Sequence, residues 1–144
     1  MSRPSIPSLL LLCTLVTPSL ALAGGRAAVT PNARVQWTET GIPGVRAAAV
    51  EGDMASGPSH FYLEYASGLT TPVHHHSPDH YVTTVSGNLT LIVDGAEHRL
   101  PPGSFFALTG AKSHVARCEA GAACVMFIDA RDAWDVVPEP AATP

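Results

Sequence analysis

Turn signals are the strongest constraint on what this chain can fold into. Gly57-Pro58, Ser67-Gly68, Gly87-Asn88, Asp94-Gly95, Pro102-Gly103 and Thr109-Gly110 cut the sequence into short pieces. The pieces between them are strand-like: 46–50, 60–66, 73–76, 80–86, 89–93, 97–100, 104–108, 114–118 and 124–128. No window carries a helical period. Asp94-Gly95 is the clearest hairpin signal, because both residue types tolerate the positive φ that a type I′ turn demands. Many short strands punctuated in this way predict an all-β sandwich or barrel, and a domain of this size makes one small barrel.

The start of the chain stands apart from that pattern. Arg3 gives a weakly basic beginning, an apolar run extends from Leu9 to about Leu22, and Ala21-Leu22-Ala23 is a small-x-small cleavage signal. We read residues 1–23 as a secretory signal peptide, so a mature chain of residues 24–144 is expected to be secreted or periplasmic. The apolar run is shorter than the ~20 residues a spanning helix needs, and Pro18 interrupts it, so no membrane association is expected after its removal. Residues 24–33 read as a flexible entry and the proline-rich 138–144 as an unstructured tail, leaving a core of about 34–137.

The formal charge of −4 loses the contribution of Arg3 when the leader is removed, and no basic patch remains. Nucleic acid and anionic lipid are therefore excluded as partners. The mature chain keeps Cys118 and Cys124, separated by Glu119-Ala120-Gly121-Ala122-Ala123. In an exported protein such a pair across a turn is a disulfide candidate, and the alternative is two buried thiols on adjacent strands.

Histidines carry the chemistry. His74, His76 and His80 fall within one short stretch, and His114 follows beyond a Pro-Gly turn. On an extended strand, residues two apart share a face, so His74 and His76 can grip one ion while His75 points away. By the same parity, Val82 and Thr84 face inward if His80 does. On 60–66, His60, Tyr62 and Glu64 take one face and Phe61, Leu63 and Tyr65 the other, and parity leaves open which face is interior. Phe105-Phe106 must send one ring inward and one outward. His60, His75 and His98 read as ordinary surface or hydrogen-bonded residues, and Trp134 as a core or lid residue folding back over the barrel end.

The full spacing is more specific than the histidine count. The chain reads Gly68, five residues, His74, one residue, His76, three residues, His80, six residues, Gly87. It then reads Gly95, five residues, Pro101, one residue, Gly103, with His114 eleven residues further on. This resembles the two motifs of the cupin superfamily. The resemblance implies a single cupin-type double-stranded β-helix, or jelly-roll, barrel holding one divalent transition metal ion. Carried over residue by residue, the ligands would be His74, His76 and His114, with His80 standing where the family usually has Glu. An imidazole there leaves a divalent ion its full double charge, making it a stronger Lewis acid and favouring the lower oxidation state of a redox-active metal. Fe, Cu, Ni, Mn and Zn all remain open as the ion. Affinity is expected to fall once pH drops below the ordinary histidine pKa of roughly 6.5.

Two functions are compatible with such a site. The resemblance implies a metal-dependent, oxygenase-type oxidoreductase acting on a small molecule, with Tyr62, Glu64, Thr84, Phe105 and Phe106 as pocket candidates and Glu64 as a general base if it faces inward. The alternative is a non-catalytic periplasmic binder or sensor of a metal or small ligand, which a closed tetrahedral site would suit. Cupin barrels commonly dimerise through their sheets, so the resemblance also implies a homodimer.

Overall fold

The computed structural model describes residues 25–140. The leader at 1–23, the mature start at Gly24 and the last residues of the tail lie outside the described residues. After a turn of 3-10 helix at Asn32–Arg34, the regular elements among the described residues are all strands. They are β1 (Thr38–Glu39), β2 (Val45–Gly52), β3 (Ser59–Tyr65), β4 (His74–His75), β5 (His80–Ser86), β6 (Leu89–Val93), β7 (Ala96–Leu100), β8 (Phe105–Leu108), β9 (Val115–Cys118), β10 (Cys124–Ala130) and β11 (Val137–Pro138).

One wall of the barrel is a six-stranded antiparallel sheet in the order β1-β2-β3-β10-β5-β8. The other wall begins with β7-β6-β9. Isolated bridges Thr70↔Arg117 and His74↔His114 carry β4 alongside the β9 segment, and β11 pairs with β4 at the outer edge. The predicted hairpin joins β6 to β7: Val93 pairs with Ala96, and Asp94 and Gly95 take φ of 52° and 76°, the left-handed values a type I′ turn requires.

Alternation sorts each strand of the large sheet into an inner and an outer face. β3 buries Ser59, Phe61, Leu63 and Tyr65, β5 buries His80, Val82 and Thr84, and β10 buries Cys124, Met126, Ile128 and Ala130. These side chains meet Leu89, Ala116 and Cys118 from the small sheet to make one core. Gly87 lets β5 turn into β6 beside that core. A Cβ there would stand 2.5 Å from the Ala123 carbonyl oxygen and 2.9 Å from Cys124 Sγ, and its φ of +75° disfavours any side chain.

Cys118 and Cys124 form a disulfide, which ties the end of β9 to the start of β10 and so joins the two walls. Closing so short a loop stabilises the fold by about 2 kcal/mol in the chain-entropy account. Two strands lie outside the segments legible in the sequence, β1 and β11, each two residues long. β11 moves the start of the predicted tail: Pro138 pairs with His74, and the Glu139 N–H donates to the Val73 carbonyl at 3.0 Å. Among the described residues, no helix is long and apolar enough to cross a membrane.

Candidate metal centre

The four histidines come from three separate stretches of backbone and converge at one end of the barrel. His74 begins β4, His76 follows it, His80 begins β5 and His114 immediately precedes β9. All four are buried. The backbones of His74 and His114 exchange hydrogen bonds of 3.1 and 2.9 Å, which sets their rings side by side with centroids 4.3 Å apart. His76 comes within 5.0 Å of His74 and 5.4 Å of His114 by the same measure.

One ring nitrogen from each of His74, His76 and His114 lies within 4.8 Å of the others. His80 stands beside this trio, its ring 4.8 Å from His76 and 6.4 Å from His114. Every one of the four rings is oriented in the same way, by its own backbone carbonyl. Nδ1 lies 2.9 Å from the Pro72 oxygen in His74, 2.5 Å from Asp135 in His76, 3.0 Å from Pro78 in His80 and 3.0 Å from Lys112 in His114. A carbonyl can only accept, so each Nδ1 carries the proton and each Nε2 keeps its lone pair for an ion.

Burial is also the main electrostatic influence. It lowers the pKa of all four imidazoles, with His76 pushed to about 3 and His114 to about 4. The carbonyl hydrogen bonds oppose this, and the neighbouring histidines add to it. A cluster of neutral, desolvated, pre-oriented imidazoles fits a transition metal ion, because it presents lone pairs without first having to lose protons.

The chain between β10 and β11 closes over the cluster. The Trp134 ring stacks on His76 at 3.9 Å and meets His80 edge-on at 5.0 Å. Its backbone N–H donates to the Met54 carbonyl at 2.7 Å. Asp135 accepts from the Ser77 N–H at 2.7 Å and the Ser77 hydroxyl at 2.5 Å, fastening this strap beside His76. Glu139 accepts from Ser113 at 2.8 Å and approaches His75 Nδ1 at 2.6 Å, so the strap is anchored to both histidine-bearing segments. His75 thus serves the outside of the site.

A family model described as a cupin domain matches residues 61–129, the span that holds all four histidines. Residues 61–129 are a cupin domain. The cupin is similar in fold to the polyketide cyclase RemF from Streptomyces resistomycificus, with TM-score 0.68 and 17% identity over 81% of this chain and 88% of that one. It is also similar to an RmlC-like cupin from Shewanella frigidimarina, with TM-score 0.60 and 17% identity over 74% and 92% of the two chains. An oxalate oxidase in complex with glycolate gives TM-score 0.57 and 15% identity over 72% and 59%. No curated protein matches the sequence.

The cupin's pocket candidates divide between the two faces of the sheet. Tyr62 and Glu64 are corrected to the outer face: Tyr62 packs against Trp37 and Phe127, and Glu64 accepts from Arg46 Nε at 3.0 Å. The reason is the parity of β3, which turns the larger apolar set of Phe61, Leu63 and Tyr65 inward. Phe105 is likewise outside, 63% exposed and stacked on Tyr81, whereas Phe106 lines the inner chamber with His76, His80 and His114. Thr84 is fully buried, but it borders neither that chamber nor the larger cavity beside it. Leu63, Tyr65 and Trp134 border both spaces. The inward parity of Leu63 and Tyr65 was one of two equal choices in the sequence.

The depressed histidine pKa values change the expected response to acid. In the metal-free cupin, the unfolded chain takes up protons below about pH 6.5 that the folded chain refuses. Stability is therefore complete above that pH and declines as pH falls toward about 3 to 4, the folded values of His76 and His114. Thermal melts of chelated protein at stepped pH should show this decline, and a flat profile from pH 7 to 4 would mean that the rings are solvated. Burial also delays protonation of these nitrogens, so an ion held by them would be released nearer pH 4 than the 6.5 that unperturbed histidines imply.

Proposed function

We propose that this chain is an exported metal-dependent cupin enzyme of the oxygenase type, acting on a small molecule with one ion held by His74, His76, His80 and His114. The observation that carries the reading is the common orientation of the four rings, each with Nδ1 tied to a carbonyl and Nε2 left over. The triad of His74, His76 and His114 forms the core of the shell, and His80 is the fourth ligand beside it. A bound divalent ion would supply Lewis acidity and, if redox active, a route for electrons between substrate and oxygen. The protein's own contribution is to keep the imidazoles neutral and aimed, and to exclude water with the Trp134 strap. Because His74 and His76 also border a cavity, a small molecule has access to the cluster from outside. Structural neighbours that include a polyketide cyclase and an oxalate oxidase support an enzymatic role on this fold.

One observation favours a second reading, a non-catalytic metal or small-ligand binder. Among the described residues no carboxylate is free to act as a base at the cluster: Glu64 faces outward to Arg46, and Asp135 is held by Ser77. The two readings separate when the mature chain is exported without a histidine tag and its metals are measured by elemental mass spectrometry, followed by oxygen uptake with enols and catechols. About one equivalent of Fe, Cu, Ni or Mn with substrate-dependent oxygen consumption is the expected result. Stoichiometric metal that is inert to oxygen and substrates supports the binder, and a metal-free protein overturns both.

A further inference from the structure

The walls of the cavity beside His74 and His76 restrict what can occupy it. Its volume is about 640 Å³, enough for a small organic molecule of a few fused rings. The floor is Val45, Ala47, Leu63 and Tyr65, all buried, from the inner faces of β2 and β3. Among the described residues no lysine or arginine borders the space, and the side chains of formal charge around it are Glu39 and Asp135, both acidic. A carboxylate or phosphate entering here would lose water against an apolar floor, pass an acidic rim and meet no protein cation. An uncharged ring gains from the same desolvation.

Tyr65 supplies a polar atom in that floor. Its side chain is 6% exposed and borders both the cavity and the chamber lined by His76, His80 and His114. Its hydroxyl is engaged by no other group among the described residues, and the side-chain oxygens there that are fully buried without a partner are those of Ser59 and Thr84, not that of Tyr65. Burial pushes the Tyr65 pKa up to about 12, so the phenol is a donor throughout the working pH range.

We propose that the cavity takes an uncharged, largely apolar ring compound bearing a hydroxyl or carbonyl oxygen, with Tyr65 donating a hydrogen bond to that molecule and selection against anions set by the cation-free wall. The orientation of its oxygen toward the histidines rests on the enzyme reading above; the fit of the ring to the wall does not. Small dicarboxylates and sugar acids are disfavoured by the same wall.

The test is calorimetric titration of the full chain, as isolated and after chelation, with 2-naphthol and with 2-naphthoate, which share a ring system and differ in charge. The chelated chain is decisive, because a bound ion would itself attract the carboxylate. There 2-naphthol is expected to bind at least about tenfold more tightly than 2-naphthoate. Tyr65→Phe should weaken 2-naphthol roughly three- to tenfold, the net worth of one hydrogen bond. Ala49→Trp, at an exposed position on the cavity wall, should abolish binding with the circular dichroism spectrum unchanged. Equal or tighter binding of the naphthoate in the chelated chain, no binding of either compound, or full binding by Ala49→Trp overturns the proposal. An unchanged affinity in Tyr65→Phe removes Tyr65 from it. A metal-free isolate that still prefers 2-naphthol overturns the enzyme reading and leaves the cavity assignment standing; stoichiometric metal without the preference does the reverse.

Discussion

Replacing His76 with alanine is expected to strip the ion from the protein as isolated, lowering affinity by a factor on the order of a hundred or more, the upper end of what even an outer-shell change costs. His76 contributes one of the three clustered nitrogens, and it receives both the Asp135 carbonyl and the face of Trp134. Its removal therefore takes a ligand and loosens the strap that covers the site. His75→Ala is the matched control one residue away. That ring faces Glu139 and not the cluster, so metal content should stay within about twofold of wild type, the scale of one contact at the edge of the site. His80→Ala should fall between the two. Elemental mass spectrometry of the three variants after dialysis reads the result directly. Equal loss from His75→Ala and His76→Ala would mean that the register of β4 is wrong, and wild-type metal content in His80→Ala would reduce the shell to three histidines.

The largest expected effect on stability comes from Phe61→Ala, at about 3–5 kcal/mol. Phe61 is fully buried at the centre of β3 and meets Trp134 edge-on, with ring centroids 5.1 Å apart and planes at 68°. Neighbours from both walls surround it, so the hole left behind cannot close by a local shift. The melting temperature should drop by roughly 10–20 °C for a domain of this size. Tyr62→Ala, one residue along on the outer face, removes a ring of comparable size that is only partly buried beside Trp37 and Phe127, and should cost no more than about half as much. Chemical denaturation of the two variants measures the contrast. A larger loss from Tyr62→Ala would reverse the assignment of faces on β3. Phe61→Ala should also loosen metal binding, because Trp134 links that core position to His76.

Local chemistry made much of this protein legible before any tertiary information. Turn residues delimited β2 to β10 to within a residue or two, because Gly and Asp-Gly positions mark where φ must be positive whatever surrounds them. Period-two alternation put His80, Val82 and Thr84 on one side of β5, and the glycine, proline and histidine spacing located the cluster and the family. What alternation cannot supply is the sign of a face. The inward turn of Phe61, Leu63 and Tyr65 was settled only when β3 packed between β2 and β10, where the apolar set had to meet the opposite wall. Trp134 was legible as a core or lid residue over the barrel end, but the anchoring of its strap was not: β11 has two residues, and its pairing with β4 spans more than sixty positions of sequence, so no local pattern encodes it. The sequence by itself thus determined most of the strands, their turns and which histidines gather at one end of the barrel, since these depend on backbone preference and side-chain chemistry. Only the tertiary structure decided which faces line the cavity, how a carbonyl orients each imidazole, and which histidines Trp134 packs against, since these depend on contacts between segments distant in the chain.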